Sequence, residues 1–256
     1  MAKPKGQSTS IAKQEKGVAL APMEPWEMEL AQQAKDEVAK EATGMPRVTH
    51  KSGVLRIDGK EVTDNKLKCV IVDYVFSKAY YEEEYDPEMT QTPVCYAFGR
   101  EEKGMAPHAN APKKQHEICT GCPHNVFGTA EKGRGKRCKD ERRLGIVVEV
   151  NDPASIQQAE VRAISVPPGS LKNWSAYLRK IPEITPTGNV RALLTEISAR
   201  PAENAYVLTF KPIDKLAKTM VQQIVHRREA VSTMLVQPYP AIESKPKALR
   251  REVKGQ

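Results

Sequence analysis

The chain has 256 residues, room for one large domain with appendages or for two small ones. Only 39% of it is hydrophobic and 5% aromatic, with 19 prolines, which fits a modest core, long loops and loose ends. The net charge of +8 and pI of about 9.1 favour polyanionic partners. No apolar run approaches the ~18 residues of a membrane span, and the opening Met1-Ala2-Lys3-Pro4-Lys5 lacks the apolar stretch of a secretion signal. A soluble protein of a reducing, cytoplasmic compartment is expected.

Residues 1–24 are rich in Lys, Gln, Ser and Ala without periodicity and read as a disordered arm. Over 25–44 a helix is predicted: Pro25 suits its first turn, Trp26, Leu30, Ala34 and Val38 recur at four-residue steps, and Gly44 ends it. The body then spans 45–212 and is β-rich. Asp58-Gly59, between Val54-Leu55-Arg56-Ile57 and Lys60-Glu61-Val62-Thr63, predicts a tight hairpin. A longer strand follows from Leu67 to Lys78. Alternation puts Leu67, Cys69, Ile71 and Val75 on one face and Val70, Val72, Tyr74, Phe76 and Lys78 on the other. Apolar residues on both faces mean burial on both sides, or one face meant for a ligand. The acidic Tyr80–Asp86 segment reads as a solvated turn.

A long insertion, 95–143, interrupts the strands. Beyond it, strands are predicted at Leu144–Val150, Val161–Val166, Val190–Ser198 and Ala205–Phe210. Ser170 is expected to cap a helix to Ile181 with Leu171, Trp174, Leu178 and Ile181 on one face. Trp174 and Phe210 are assigned to the core. A last helix, 213–236, buries Ile213, Leu216, Ala217, Met220, Val221 and Ile224, and a Pro-rich, basic tail occupies 237–256. Strands with one helix late in the set suggest an α+β domain with an OB-like Greek-key barrel.

The insertion holds four of the five cysteines as Cys95-x23-Cys119-x2-Cys122-x15-Cys138. A Cys-x2-Cys turn brings two thiolates to one ion, and a third fifteen residues on closes a loop of ordinary zinc-site length. A reducing compartment argues against disulfides. Structural Zn2+ is therefore expected, with Cys95 as fourth ligand and His116 or His124 as competitors. Cys69, inside Cys69-Val70-Ile71-Val72, reads as core. Four thiolates leave no open coordination position, and no carboxylate cluster accompanies the histidines, so a nuclease or other enzyme is not expected.

Eight of the fourteen aromatic residues fall between Tyr74 and Phe127. A basic run follows: Lys132, Arg134, Lys136, Arg137, Lys139, Arg142 and Arg143, against Asp140 and Glu141. Interleaved cations and π-faces are what single-strand binding requires. The candidate nucleic-acid-binding set is those seven cations with Tyr74, Phe76 and Lys78. The competing class is an interaction module whose metal loop docks on a replication or transcription enzyme.

Three phrases carry a resemblance: Pro93-Val94-Cys95-Tyr96; Cys119-Thr120-Gly121-Cys122-Pro123-His124-Asn125 with Phe127-Gly128-Thr129; and Gly133-Arg134-Gly135-Lys136-Arg137-Cys138 running on to Leu144. With Val166-Pro167-Pro168-Gly169-Ser170-Leu171-Lys172-Asn173-Trp174 they look like a family of tailed-phage single-stranded-DNA-binding proteins, over roughly residues 65–212. The resemblance implies zinc on Cys95, Cys119, Cys122 and Cys138, an OB-like core, a role in phage DNA replication or recombination, replication or recombination proteins as further partners, and a host-cell cytoplasmic location. One departure stands out. Many replicative single-strand binders end in an acidic, partner-recruiting tail, whereas this chain ends basic.

Overall fold

The computed structural model describes residues 24, 26, 28–30, 33, 45–83, 91–131, 134–202 and 205–239. Two units are distinguished, 1–42 and 43–256. In the first, residues 26, 28–30 and 33 are helical, and Trp26, Met28 and Leu30 are exposed. The remainder of the predicted arm and helix, residues 84–86 of the acidic segment and the tail beyond Tyr239 lie outside the described residues.

The second unit is α+β with antiparallel sheets. Strand β1 (Val48–Thr49) pairs with β2 (Arg56–Ile57), which turns into β3 (Lys60–Glu61) through Asp58 and Gly59. Both turn residues sit at positive φ, 50° and 79°, as a two-residue hairpin of this hand demands.

The main sheet is organised on one fifteen-residue strand, β4 (Lys66–Tyr80). Along Cys69–Ala79 one edge of it carries β6 (Lys139–Val148). Its other edge is shared: β8 (Leu193–Ala202) pairs with Lys66–Val70, and β5 (Cys95–Gly99) with Phe76–Tyr80. Strand β7 (Arg162–Val166) lies on β6, and β9 (Ala205–Lys215) on β8, giving the path β7-β6-β4-β8-β9. Strand β6 starts earlier than predicted, so the charged stretch from Lys139 to Arg143 belongs to the sheet.

Both faces of the sheet are covered, which explains why β4 is apolar on both sides. On one face Leu67, Cys69 and Ile71 join Leu144, Ile146, Ile164, Leu193 and Ile197 under helix α2 (Leu171–Ile184), which contributes Trp174, Tyr177 and Ile181. On the other, Val70, Val72, Val75, Val147 and Ala163 pack under Ile156 of α1 (Pro153–Gln158) and the long helix α3 (Lys218–Leu235). Each aliphatic side chain so buried stabilises the fold by roughly 1.5–3 kcal/mol. Helix α3 approaches closely at Gly145, where an added Cβ would stand 2.5 Å from Val231 Cγ1.

A register shift between Ile71 and Asp73 corrects the predicted faces of β4. One extra residue exchanges the sides of everything after it. Val75 goes to the α3 side, and Tyr74 crosses to Trp174, its ring edge-on at 5.3 Å. Asp73, at the bulge, is fully buried among Arg191, Arg100 and Ser232 Oγ. Burial pushes its carboxyl up, but Arg191, the Tyr74 amide and Arg100 outweigh that and hold it below the ordinary range.

Two helical boundaries also differ from expectation. Strand β9 runs on to Lys215, so α3 begins at Lys218 rather than near Ile213. Ser170 makes no side-chain cap; its hydroxyl accepts from Leu208 N of β9 at 2.8 Å, and Asn173 Nδ2 donates to Leu208 O at 2.9 Å. These two bonds tie the start of α2 to β9; β7 and β9 themselves are joined by no ladder among the described residues. No helix among them is long and apolar enough to cross a membrane.

Candidate metal centre and nucleic-acid interface

After the bulge, one face of β4 reads Tyr74, Phe76, Lys78, Tyr80, and it leads out of the core into the cysteine loop. Tyr74 rests on Trp174. Phe76 packs against the buried Ala97, Met105 and Cys119. Tyr80 packs with Cys95 and Cys138 and stacks on His124 at 4.4 Å. The strand thereby supplies the floor on which the loop is built.

The loop has few apolar side chains of its own and is held by turns. Cys119 N donates to Met105 O at 2.8 Å, Asn125 Nδ2 to Cys119 O at 2.8 Å, and Cys138 N to His124 O at 2.8 Å. The Cys-x2-Cys stretch forms two successive 3-10 turns, Cys119–Gly121 and Pro123–Asn125. A second knuckle closes where Gly128 N donates to Gly135 O at 3.0 Å.

Cys95, Cys119, Cys122 and Cys138 are all buried, none is in a disulfide, and all four line one cavity of about 20 Å³. Cys69 is buried in the core, away from it. Among the described residues no three His, Cys, Asp or Glu side chains stand in ligating geometry. Burial pushes the Cys119 thiol up to about 11 and Cys138 to about 12. Thiols so placed stay protonated at neutral pH unless a cation replaces the protons. Four cysteine thiols lining one cavity form a donor set suited to a tetrahedral, thiolate-binding ion. His116 also borders the cavity, but is exposed and hydrogen-bonds Ile118 O at 3.0 Å; His124 is taken up by Tyr80.

Lys78 lines the same cavity and is only 5% exposed. Its ammonium pairs with Asp140 and donates to Asn125 Oδ1 at 3.3 Å. It is thus turned inward, to the cavity that the thiols line. Lys136 pairs with Asp140 at 2.8 Å. Burial pushes the Asp140 carboxyl up, yet hydrogen bonds from Lys136 and Lys78 hold it below the ordinary range.

The remaining predicted cations fall into three groups. Arg134 is exposed on the second knuckle. Lys136, Arg137, Lys139 and Arg142 are half-buried, and three of them lie over rings: Arg142 over Phe76 at 3.8 Å, Lys136 over Phe127 at 4.9 Å, Arg137 over Tyr80 at 5.6 Å. Arg137 and Arg142 also pair with Glu131 at 2.8 Å and Glu102 at 3.2 Å. Arg143 is buried at 2% exposure on the α3 side of the sheet, and so is not a surface cation. Lys132 lies outside the described residues. The aromatic residue that spacing did not single out is Phe127, 76% exposed at the loop tip. Its position directly between two knuckle glycines and the Cys-x2-Cys turn was the available signal.

The chain matches no family model, no curated protein and no solved structure.

Proposed function

We propose that the chain binds single-stranded DNA, coating and protecting it during replication or recombination, and that a structural zinc on Cys95, Cys119, Cys122 and Cys138 fixes the loop that completes the binding surface. The observation that carries the reading is the set of cation-over-ring pairs where β4 and β6 meet the loop: Arg142 on Phe76, Lys136 on Phe127, Arg137 on Tyr80. Phe127 is exposed and Phe76 half-buried, and rings so placed with cations beside them suit stacked bases and their phosphates and need no carboxylate or open metal, whereas the buried Tyr80 only anchors Arg137. Lys78 belongs to the metal side of this arrangement: a buried ammonium offsets the negative charge that four thiolates gather around a divalent ion.

The strand order also supports an OB-like barrel. A long first strand paired on both edges, a helix between the third and fourth strands and the hairpin of β8 with β9 follow that topology, with Ser170 and Asn173 bridging where the barrel would close. The resemblance to the tailed-phage single-strand binders points the same way. A second reading, an interaction module that docks on a replication or transcription enzyme, has one observation in its favour: Ile118, Val126 and Phe127 are all exposed on the loop.

Fluorescence anisotropy with labelled single-stranded and matched duplex oligonucleotides, titrated with salt, separates the two. Single strands should bind more tightly than duplex, and Lys136→Ala with Arg137→Ala should flatten the log–log salt slope by roughly 1–1.5, at about 0.7 per phosphate contact. Equal duplex binding, or no binding to bare strands, favours the docking module.

A further inference from the structure

The two buried side-chain atoms without a hydrogen-bond partner among the described residues are Ser77 Oγ and Arg143 Nε. They share one place. Arg143 stands opposite Val75, and Ser77 two residues on stands opposite Glu141, on the sheet face that α3 covers further along. Beyond the end of α3 this face is roofed by Tyr239. Its ring meets Tyr96 edge-on at 4.9 Å and Phe98 at 5.7 Å. Two guanidinium groups flank the same ring, Arg47 at 5.2 Å and Arg143 at 5.5 Å.

A buried arginine is ordinarily paired with a carboxylate, because stripping water from its charge is costly. Arg143 has no carboxylate within ion-pair distance among the described residues, and its one recorded hydrogen bond is to Gln237 O, 3.0 Å, in the segment that carries Tyr239. Arg47 beside it adds a second positive charge and donates to Ser165 Oγ at 3.1 Å. The slot thus combines two aromatic walls, two guanidinium groups, an unused hydroxyl and the carboxyl of Glu141, which burial pushes up toward its neutral form, and its present occupant is a neutral ring on a short tether. That is the complement of a base with a phosphate attached, held shut by a residue whose hydroxyl engages Arg47 and leaves Arg143 only the carbonyl of Gln237.

We propose that this slot receives one nucleotide of the bound single strand, its base replacing the Tyr239 ring against Phe98 and Tyr96 and its phosphate reaching Arg47 and Arg143; the inference rests on the single-strand reading above. Residues 236–239 act as a strap that the strand displaces. Removing the ring uncovers Arg143 without touching the metal loop.

The test uses the full chain and a fluorescein-labelled oligothymidylate. Tyr239→Ala, with its melting temperature checked, should bind about fivefold tighter, the equivalent of about 1 kcal/mol for an unopposed stacking position. Arg143→Met in the Tyr239→Ala background should abolish that gain. Hydrogen exchange on the unmutated protein gives an independent reading: the amide of Gln237, which donates to Met234 O at 3.2 Å, should lose protection when the oligonucleotide is added. If the unmutated protein binds the strand while Gln237 keeps its protection and Tyr239→Ala gains nothing, the slot is closed structure and the inference falls, with the single-strand reading intact. Weaker binding by Tyr239→Ala overturns it equally. If neither protein binds the oligonucleotide, both readings fail.

Discussion

The sheet and the cysteine loop meet on β4 yet are held by different forces. The sheet buries large aliphatic and aromatic side chains on both faces, and helices α2 and α3 seal them. The loop buries little besides its cysteines; its contacts are turn hydrogen bonds, an aspartate paired with two lysines, and rings borrowed from the strand. Packing can be lost in increments, whereas four converging donors are kept or lost together. The two regions should therefore fail separately.

The largest separation should come from the thiols. Structural zinc contributes on the order of 10–16 kcal/mol in small peptide sites. Cys138→Ser should strip the ion, shown by elemental analysis, and expose the amides of 95–138 to hydrogen exchange while those of β6, β7 and β8 stay protected. Simultaneous loss of the sheet would show that the two regions form one cooperative unit.

The converse cut is Trp174→Ala. Trp174 is 2% exposed and touches Tyr74, Tyr177 and Phe210. Its truncation should cost about 3–5 kcal/mol in denaturant unfolding, with metal content unchanged in the protein that remains folded.

A smaller effect belongs to the boundary. Burial raises the Glu141 carboxyl from its ordinary 4.5 to about 7, against the pull of Arg47 and Arg143. A raised folded pKa means the folded state holds the proton more tightly. The resulting stability is full below about pH 4.5 and is lost as pH climbs through about 7, a span worth at most about 3 kcal/mol. Glu141→Gln should flatten this dependence, its melting temperature rising relative to the parent between about pH 5 and pH 8. An unchanged difference would place the carboxyl in solvent.

The smallest expected cost to the fold comes from Phe127→Ala. At 76% exposure the ring packs on little but Lys136, so stability and metal content should hold. Affinity for single strands should fall by roughly 1–3 kcal/mol if a base stacks there. Intact affinity would move the contact away from the loop tip.

Much of this contrast was legible in the residues. Alternation located β4, Asp58-Gly59 marked the β2–β3 hairpin through the positive φ such turns need, and cysteine spacing picked out the four residues that line one cavity. What escaped had no local mark. The bulge at Asp73 adds one residue without altering composition, and its cause, Arg191, lies 118 positions away. Lys78 looked like a surface cation until Asp140, 62 positions on, turned it inward. The stretch from Lys139 to Arg143 reads as a basic loop because the partners of Asp140 and Arg142, Lys78 and Glu102, lie 62 and 40 positions away. Arg143 was counted among strand-binding cations because its cover, Tyr239, belongs to a segment that composition alone assigns to the tail.

The bridge between α2 and β9 has a consequence for self-association. Strand β9 ends the sheet and would ordinarily offer its backbone as a template for another chain's strand. The outward amide and carbonyl of Leu208, midway along it, are already taken by Ser170 and Asn173. Pro212, also on β9, has no N–H to offer at all. The longest run a foreign strand could pair with is cut short on either side of Leu208, so copies of the chain at high concentration are kept from zipping together along this edge.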